Sequence, residues 1–101
     1  MNDTIHAMMT RRSIRSYRAD PVPKELLEQI LQAGTYAANG RGKQSPVILA
    51  VTNREKRDQL SRMNAQIMGR EETFDPFYGA PVVLVVLADR SVPTYVYDGS
   101  L

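Results

Sequence analysis

Apolar positions along the chain follow two periodicities. Ile5, Met8 and Met9 stand at the i, i+3, i+4 spacing of one helical face, which predicts a short helix over about Asp3–Thr10 with that face buried. Asp3 or Thr4 is the expected cap. Leu26, Leu27, Ile30 and Leu31, extended by Ala33 and Ala37, predict a longer amphipathic helix over about Pro23–Ala37, with Lys24, Glu25, Glu28 and Gln32 on its polar side. Pro23 suits the first helical position, and Gly34, which costs ~1 kcal/mol there against alanine, marks close packing. A third helix, about Arg54–Met68, is capped by Asn53 and ended by Gly69. Leu60, Met63 and Ile67 form its apolar side, and Arg54, Lys56, Arg57 and Arg62 a basic, solvated flank. Val47–Thr52 and Val82–Ala88 are unbroken apolar runs rich in β-branched residues, which predicts buried strands, the second central in a sheet.

The connections are set by turn chemistry. Asp20-Pro21-Val22-Pro23 stops any helix, because a proline disfavours the α region in the residue before it. Ala38 to Pro46 is a loop in which Asn39-Gly40 permits positive φ. Phe74, Phe77 and Tyr78 surround Pro76 and are expected to plug the core beneath a pocket. Glu71, Glu72 and Asp75 are expected in an exposed loop, since nearness in sequence does not make carboxylates converge. The fold class is therefore α+β, with three main helices packed on a sheet that includes two clear strands. Two strands are rarely stable alone, so the sheet should lean on a second copy or on further sequence, and a dimer or larger species is expected.

Composition narrows the function classes. A chain of 101 residues suits one small domain with a modest core. Its formal charge of +2 is too mild to argue for a nucleic-acid partner, although the basic flank of the third helix leaves that as a weaker reading. The absence of cysteine removes disulfides and thiolate zinc sites, and His6 alone cannot build a histidine-rich metal site, so no metal is expected. No apolar run is long enough to span a membrane, and Met1-Asn2-Asp3-Thr4 lacks the pattern of a secretion signal, which makes the cytoplasm the expected location.

The strongest candidate chemistry is Arg11-Arg12-Ser13-Ile14-Arg15, which gathers three guanidiniums and a hydroxyl. Arginine presents a planar fork of donors that fits phosphate oxygens, and a serine hydroxyl adds one more bond. A basic turn is the alternative: arginines at a helix C-terminus meet the negative end of its dipole, worth ~0.3–1 kcal/mol. Gly40-Arg41-Gly42 is no nucleotide fingerprint, because no strand runs directly into it and no helix directly out.

Arg-Arg-Ser-x-Arg-x-Tyr (Arg11 to Tyr17) is followed by Pro21-Val22-Pro23, a helix ending in Ala33-Gly34-Thr35-Tyr36-Ala37, Gln44-Ser45-Pro46 before a strand, Ala80-Pro81 opening the next, and a close on Asp98-Gly99-Ser100-Leu101. In order and spacing this set resembles the flavin-dependent nitroreductase family from about Ile5 onward. The resemblance covers the N-terminal half of a family member, so residues 1–101 are expected to form a single partial domain. It implies a dimer with FMN at its interface, NAD(P)H as reductant and a nitroaromatic, quinone or similar acceptor. It places Arg11, Arg12, Ser13 and Arg15 on the FMN phosphate. The loop that reaches the other subunit's flavin usually reads roughly Pro-Ser-x-x-Asn-x-Gln-Pro-Trp. This chain keeps Gln44 but departs elsewhere, so Asn39 and Gly40 carry over through their backbone. Asn64 takes the place of a helix asparagine that bonds the polar edge of the flavin ring. No catalytic side chain is assigned, because a cofactor of this kind carries the reactive centre itself. A non-catalytic remnant or interaction module that keeps the half-fold is the alternative.

Overall fold

The computed structural model describes residues 2–42 and 44–101, so Met1 and Lys43 lie outside the description. Helix α1 is Asp3–Thr10, as its periodicity predicts, but its cap is Asn2, whose Oδ1 accepts the Ile5 N–H at 2.9 Å. Asp3 is instead inside the first turn, where a carboxylate meets the positive end of the dipole. Helix α2 is Lys24–Thr35. Pro23 has an extended ψ of 138° and sits one position outside the helix, its carbonyl accepting the Leu27 N–H at 3.0 Å. Helix α3, Arg54–Ile67, starts on Asn53, whose Oδ1 accepts the Lys56 N–H. It ends in a Schellman turn: Gly69 at φ +73° lets its own N–H reach Gln66 O and the Arg70 N–H reach Ala65 O. Helix α4 is Tyr95–Ser100.

Strands β1 (Val47–Val51) and β2 (Val83–Leu87) pair antiparallel, from Val47 opposite Leu87 to Val51 opposite Val83. They are the one pair in the sheet among the described residues, so each has an open edge. Opposed residues share a face, which puts Ile48, Val86, Ala50 and Leu84 together on one side of the ribbon. That side meets α2 at Gly34, where an added Cβ would lie 2.7 Å from Ile48 Cδ1. Close packing therefore explains the mid-helix glycine.

Burial departs from the hydropathy pattern. Both strands are half-exposed, neither central nor sealed, because a two-stranded ribbon has no third strand to cover it. Ile5, Met8 and Met9 are exposed and form no buried face, with Met8 66% exposed. On α2, Leu27 and Leu31 turn inward while Leu26 and Ile30 remain exposed. On α3 the buried stripe is Arg57, Ser61 and Ala65, at i, i+4, i+8, whereas Ile67 is 83% exposed. Arg57, expected on a solvated flank, is 2% exposed. Ala65 is the one fully buried apolar residue among those described. The radius of gyration is 15.7 Å, against ~13 Å for a compact chain of this length.

Candidate functional site

Leaving α1, the chain runs without regular structure from Arg11 to Arg18. Arg12 folds back, its Nη1 donating to Arg11 O at 2.9 Å and to Met9 O at 3.4 Å. That guanidinium thus closes the C-terminal end of α1, as the basic-turn reading requires. Arg11, Ser13 and Arg15 are exposed, and their side chains have no hydrogen-bond or ionic partner among the described residues. Beyond the Arg11 N–H, which bonds Ala7 O at the end of α1, one main-chain tie holds this segment among the described residues, from the Tyr17 N–H to Tyr78 O at 3.1 Å.

Opposite stands the turn Asp75-Pro76-Phe77-Tyr78-Gly79. Its centre is the Asp75 carboxylate, which accepts Phe77 N–H and Ser61 Oγ–H on Oδ1, each at 3.0 Å. On Oδ2 it accepts Gly79 N–H at 2.9 Å and Arg57 Nη2 at 2.5 Å. Arg57 also donates through Nε to Ala80 O at 2.8 Å and through Nη1 to Asp58, and it lies over the Phe77 ring. Partial burial opposes the charge on Asp75, but the bonds from Arg57, Phe77, Gly79 and Ser61 outweigh it and lower its pKa to about 2. The expectation of an exposed, unconverged Asp75 is corrected here. Four donors from α3 and from its own turn meet on it, and that convergence is tertiary.

Between the basic segment and this turn lies a cavity of about 680 Å³. Arg12, Ser13 and Arg15 border it on one side, Phe77 and Tyr78 on another, and Leu27 and Ile30 of α2 form an apolar floor. Cations and a hydroxyl beside an apolar wall suit a ligand with a phosphate at one end and a ring system at the other.

A second cavity, of about 440 Å³, is bordered by Asn39, Gln44, Ile48, Val86 and Asp98. Asp98 is buried and accepts the Gly40 N–H and Thr94 Oγ1–H, each at 2.8 Å. Asn39 Oδ1 accepts the Gln44 N–H at 2.9 Å, and positive φ falls on Arg41, Gly42 and Gln44. A Cβ at Gly40 would collide with the Thr94 side chain, so glycine there serves close approach. Asn64 borders neither cavity, and its Nδ2 donates to Leu60 O at 3.0 Å within α3. The structure thus brings Arg12, Ser13 and Arg15 to one cavity and leaves Arg11 just outside it. It sets Asn39 on the other cavity with Gly40 alongside, and Asn64 apart from both. Sequence reasoning missed Arg57, Ser61, Asp75 and Asp98. Spacing carried one signal: Arg57, Ser61 and Ala65 share a helical face in which both polar residues need a partner.

Residues 8–99 match the model of the nitroreductase family. Over 89 residues the chain is 33% identical to the FMN reductase (NAD(P)H) of Bacillus subtilis, a match covering 88% of this chain and 33% of that protein. It is 38% identical to an NADH dehydrogenase of Thermus thermophilus, covering 86% of this chain and 39% of that one. The Bacteroides fragilis nitroreductase with bound FMN superposes with a TM-score of 0.89 at 25% identity, over 99% of this chain and 59% of that one. An FMN-dependent nitroreductase of Clostridium difficile superposes with a TM-score of 0.81 at 28% identity, over 98% and 50%. The chain therefore spans about a third of the length of these curated relatives and half or somewhat more of these structures.

Proposed function

The chain belongs to the nitroreductase family, and from that premise we propose that it serves FMN-dependent oxidoreduction, with NAD(P)H as reductant and nitroaromatics, quinones or similar compounds as acceptors. The observation that carries this reading is the cavity in which Arg12, Ser13 and Arg15 stand beside an apolar floor. Ser13 and Arg15 would hold the FMN phosphate directly, with Arg11 at the rim. Arg12, anchored to the carbonyls of Met9 and Arg11, adds a fixed positive charge. When bound, FMN supplies the redox centre through which reducing equivalents pass to the acceptor, and the chain's own residues bind and orient it.

Residues 1–101 act in this reading as one partial domain that works as a homodimer. Asn39 borders a different cavity from the arginines, with Gly40 next to it in the loop, and in this reading a second copy brings one chain's loop to the other's basic segment. The exposed Met8, Met9, Val47 and Val86 give such an assembly apolar surface to cover. Asn64, whose Nδ2 donates to Leu60 O, is kept in this reading as the candidate for the ring edge in that assembly. No helix among the described residues is long and apolar enough to cross a membrane, and we place the protein in the cytoplasm.

Titration of the purified chain with FMN and with riboflavin tests the reading. A phosphate met by charged donors at ~1.5–3 kcal/mol per bond should make FMN bind tighter by roughly two orders of magnitude. Arg15→Ala should weaken FMN about tenfold or more and leave riboflavin unchanged. Equal affinities in the wild type would defeat the phosphate assignment. Binding of neither ligand, with a featureless visible spectrum, is the result expected of a non-catalytic interaction module.

A further inference from the structure

We propose that Arg57 and Asp75 are positioning residues for the phosphate side of the arginine cavity, acting through the main-chain bond between Tyr78 and Tyr17. Three observations converge. First, Tyr78 adopts φ +54°, a left-handed conformation uncommon for an aromatic residue, which persists only where its surroundings over-determine it. The Asp75 carboxylate provides that, taking the N–H groups of Phe77 and Gly79 on either side of Tyr78. Second, the carboxylate is itself fixed to α3. Arg57 and Ser61 hold its two oxygens, and Arg57 Nε holds Ala80 O, so one buried side chain fastens both ends of the turn. Third, the turn so held presents Tyr78 O to the Tyr17 N–H. Between Arg11 and the start of α2 that bond is the one main-chain tie among the described residues. The segment bearing Ser13 and Arg15 is thus located by a bond whose acceptor Asp75 and Arg57 aim.

The ligand half of this inference rests on the FMN reading, whereas the geometric half does not. Two variants of the full chain test it. Asp75→Asn keeps the size of the side chain but cannot accept every N–H now bound. Arg57→Lys keeps a charge beside Asp75, guards against a folding failure of the first variant, and lacks the planar fork of donors that now serves Ala80 O, Asp58 and Asp75 at once. Amide exchange is followed residue by residue, together with titration by FMN and riboflavin. The Tyr17 amide should exchange about tenfold faster or more in both variants, while amides within α1 and α3 keep their wild-type rates. FMN should bind about tenfold more weakly, with riboflavin held within about twofold. Unchanged Tyr17 exchange in a folded variant, or equal weakening of both flavins, overturns the proposal. A wild type that binds neither flavin removes the FMN reading alone, and Tyr17 exchange then decides the positioning role.

Discussion

Two groups of arginines in this molecule do opposite work. Arg57 is buried, and its guanidinium reaches Asp58, Asp75 and Ala80 O while facing the Phe77 ring. Arg11 and Arg15 are exposed and have no partner among the described residues. All three carry the same charge, and both groups lie near helix ends. The difference is what faces them: Arg57 meets a carboxylate that three other donors also hold in place, whereas Arg11 and Arg15 face open space beside a cavity. An arginine whose donors are satisfied internally holds structure together. One that keeps its donors unspent is available to an outside anion.

The largest expected effect breaks the buried half of the comparison. Asp75→Ala leaves the buried guanidinium of Arg57 with Asp58 and Ala80 O alone, removes the acceptor for Ser61, Phe77 and Gly79, and should cost on the order of 3 kcal/mol in urea unfolding. A loss no larger than that of a surface substitution would mean that water already reaches the pair. Acid offers a milder route to the same pair. The folded pKa of Asp75 is about 2 against an ordinary 3.8. A depressed carboxylate pKa gives stability that is fully present above the unfolded value and is lost as pH falls through the folded one. Stability should therefore fall between about pH 4 and pH 2, by up to ~2 kcal/mol for this group, reduced by its partial exposure. Asp75→Asn should flatten the profile in that window, which unfolding measured at stepped pH reads directly. The smallest effect sharpens the other half: Arg11→Ala should leave the urea midpoint unchanged, because no group among the described residues is bonded to that side chain. A clear drop would show that the exposed cluster also holds structure.

Local features were legible in the sequence because they are made locally. Asn53 caps α3 from three residues away, and Gly69 ends it through its own φ. Both strands and all three main helices lie where the periodicity places them, to within a residue or two. Burial was not legible, because it depends on what arrives from elsewhere. Met63 and Ile67 have the right spacing for a core face, yet the neighbours that reach α3 are Asp75 and Ala80, which select the Arg57 and Ser61 side instead. Of the candidate site, the arginines and Ser13 were readable from composition and resemblance. The turn that completes their cavity was readable only as a cluster of aromatics. Its shape depends on one carboxylate held from residues 57 and 61, and no window of sequence contains both ends of that bond.

The open edges of β1 and β2 carry a consequence for keeping the chain in solution. Their sequences, VILAV and VLVVL, contain no charge, proline or glycine. An unpaired edge of that kind is a template on which another extended chain can add hydrogen bonds, the first step of ordered aggregation. The guards stand outside the strands. Pro46 adjoins β1 on one side and Arg54 follows soon after it. Pro81 stands just ahead of β2, and Asp89 and Arg90 follow closely on its far side. Proline cannot donate to a growing ladder and clustered charge resists stacking, so these flanks limit each exposed template to about five residues.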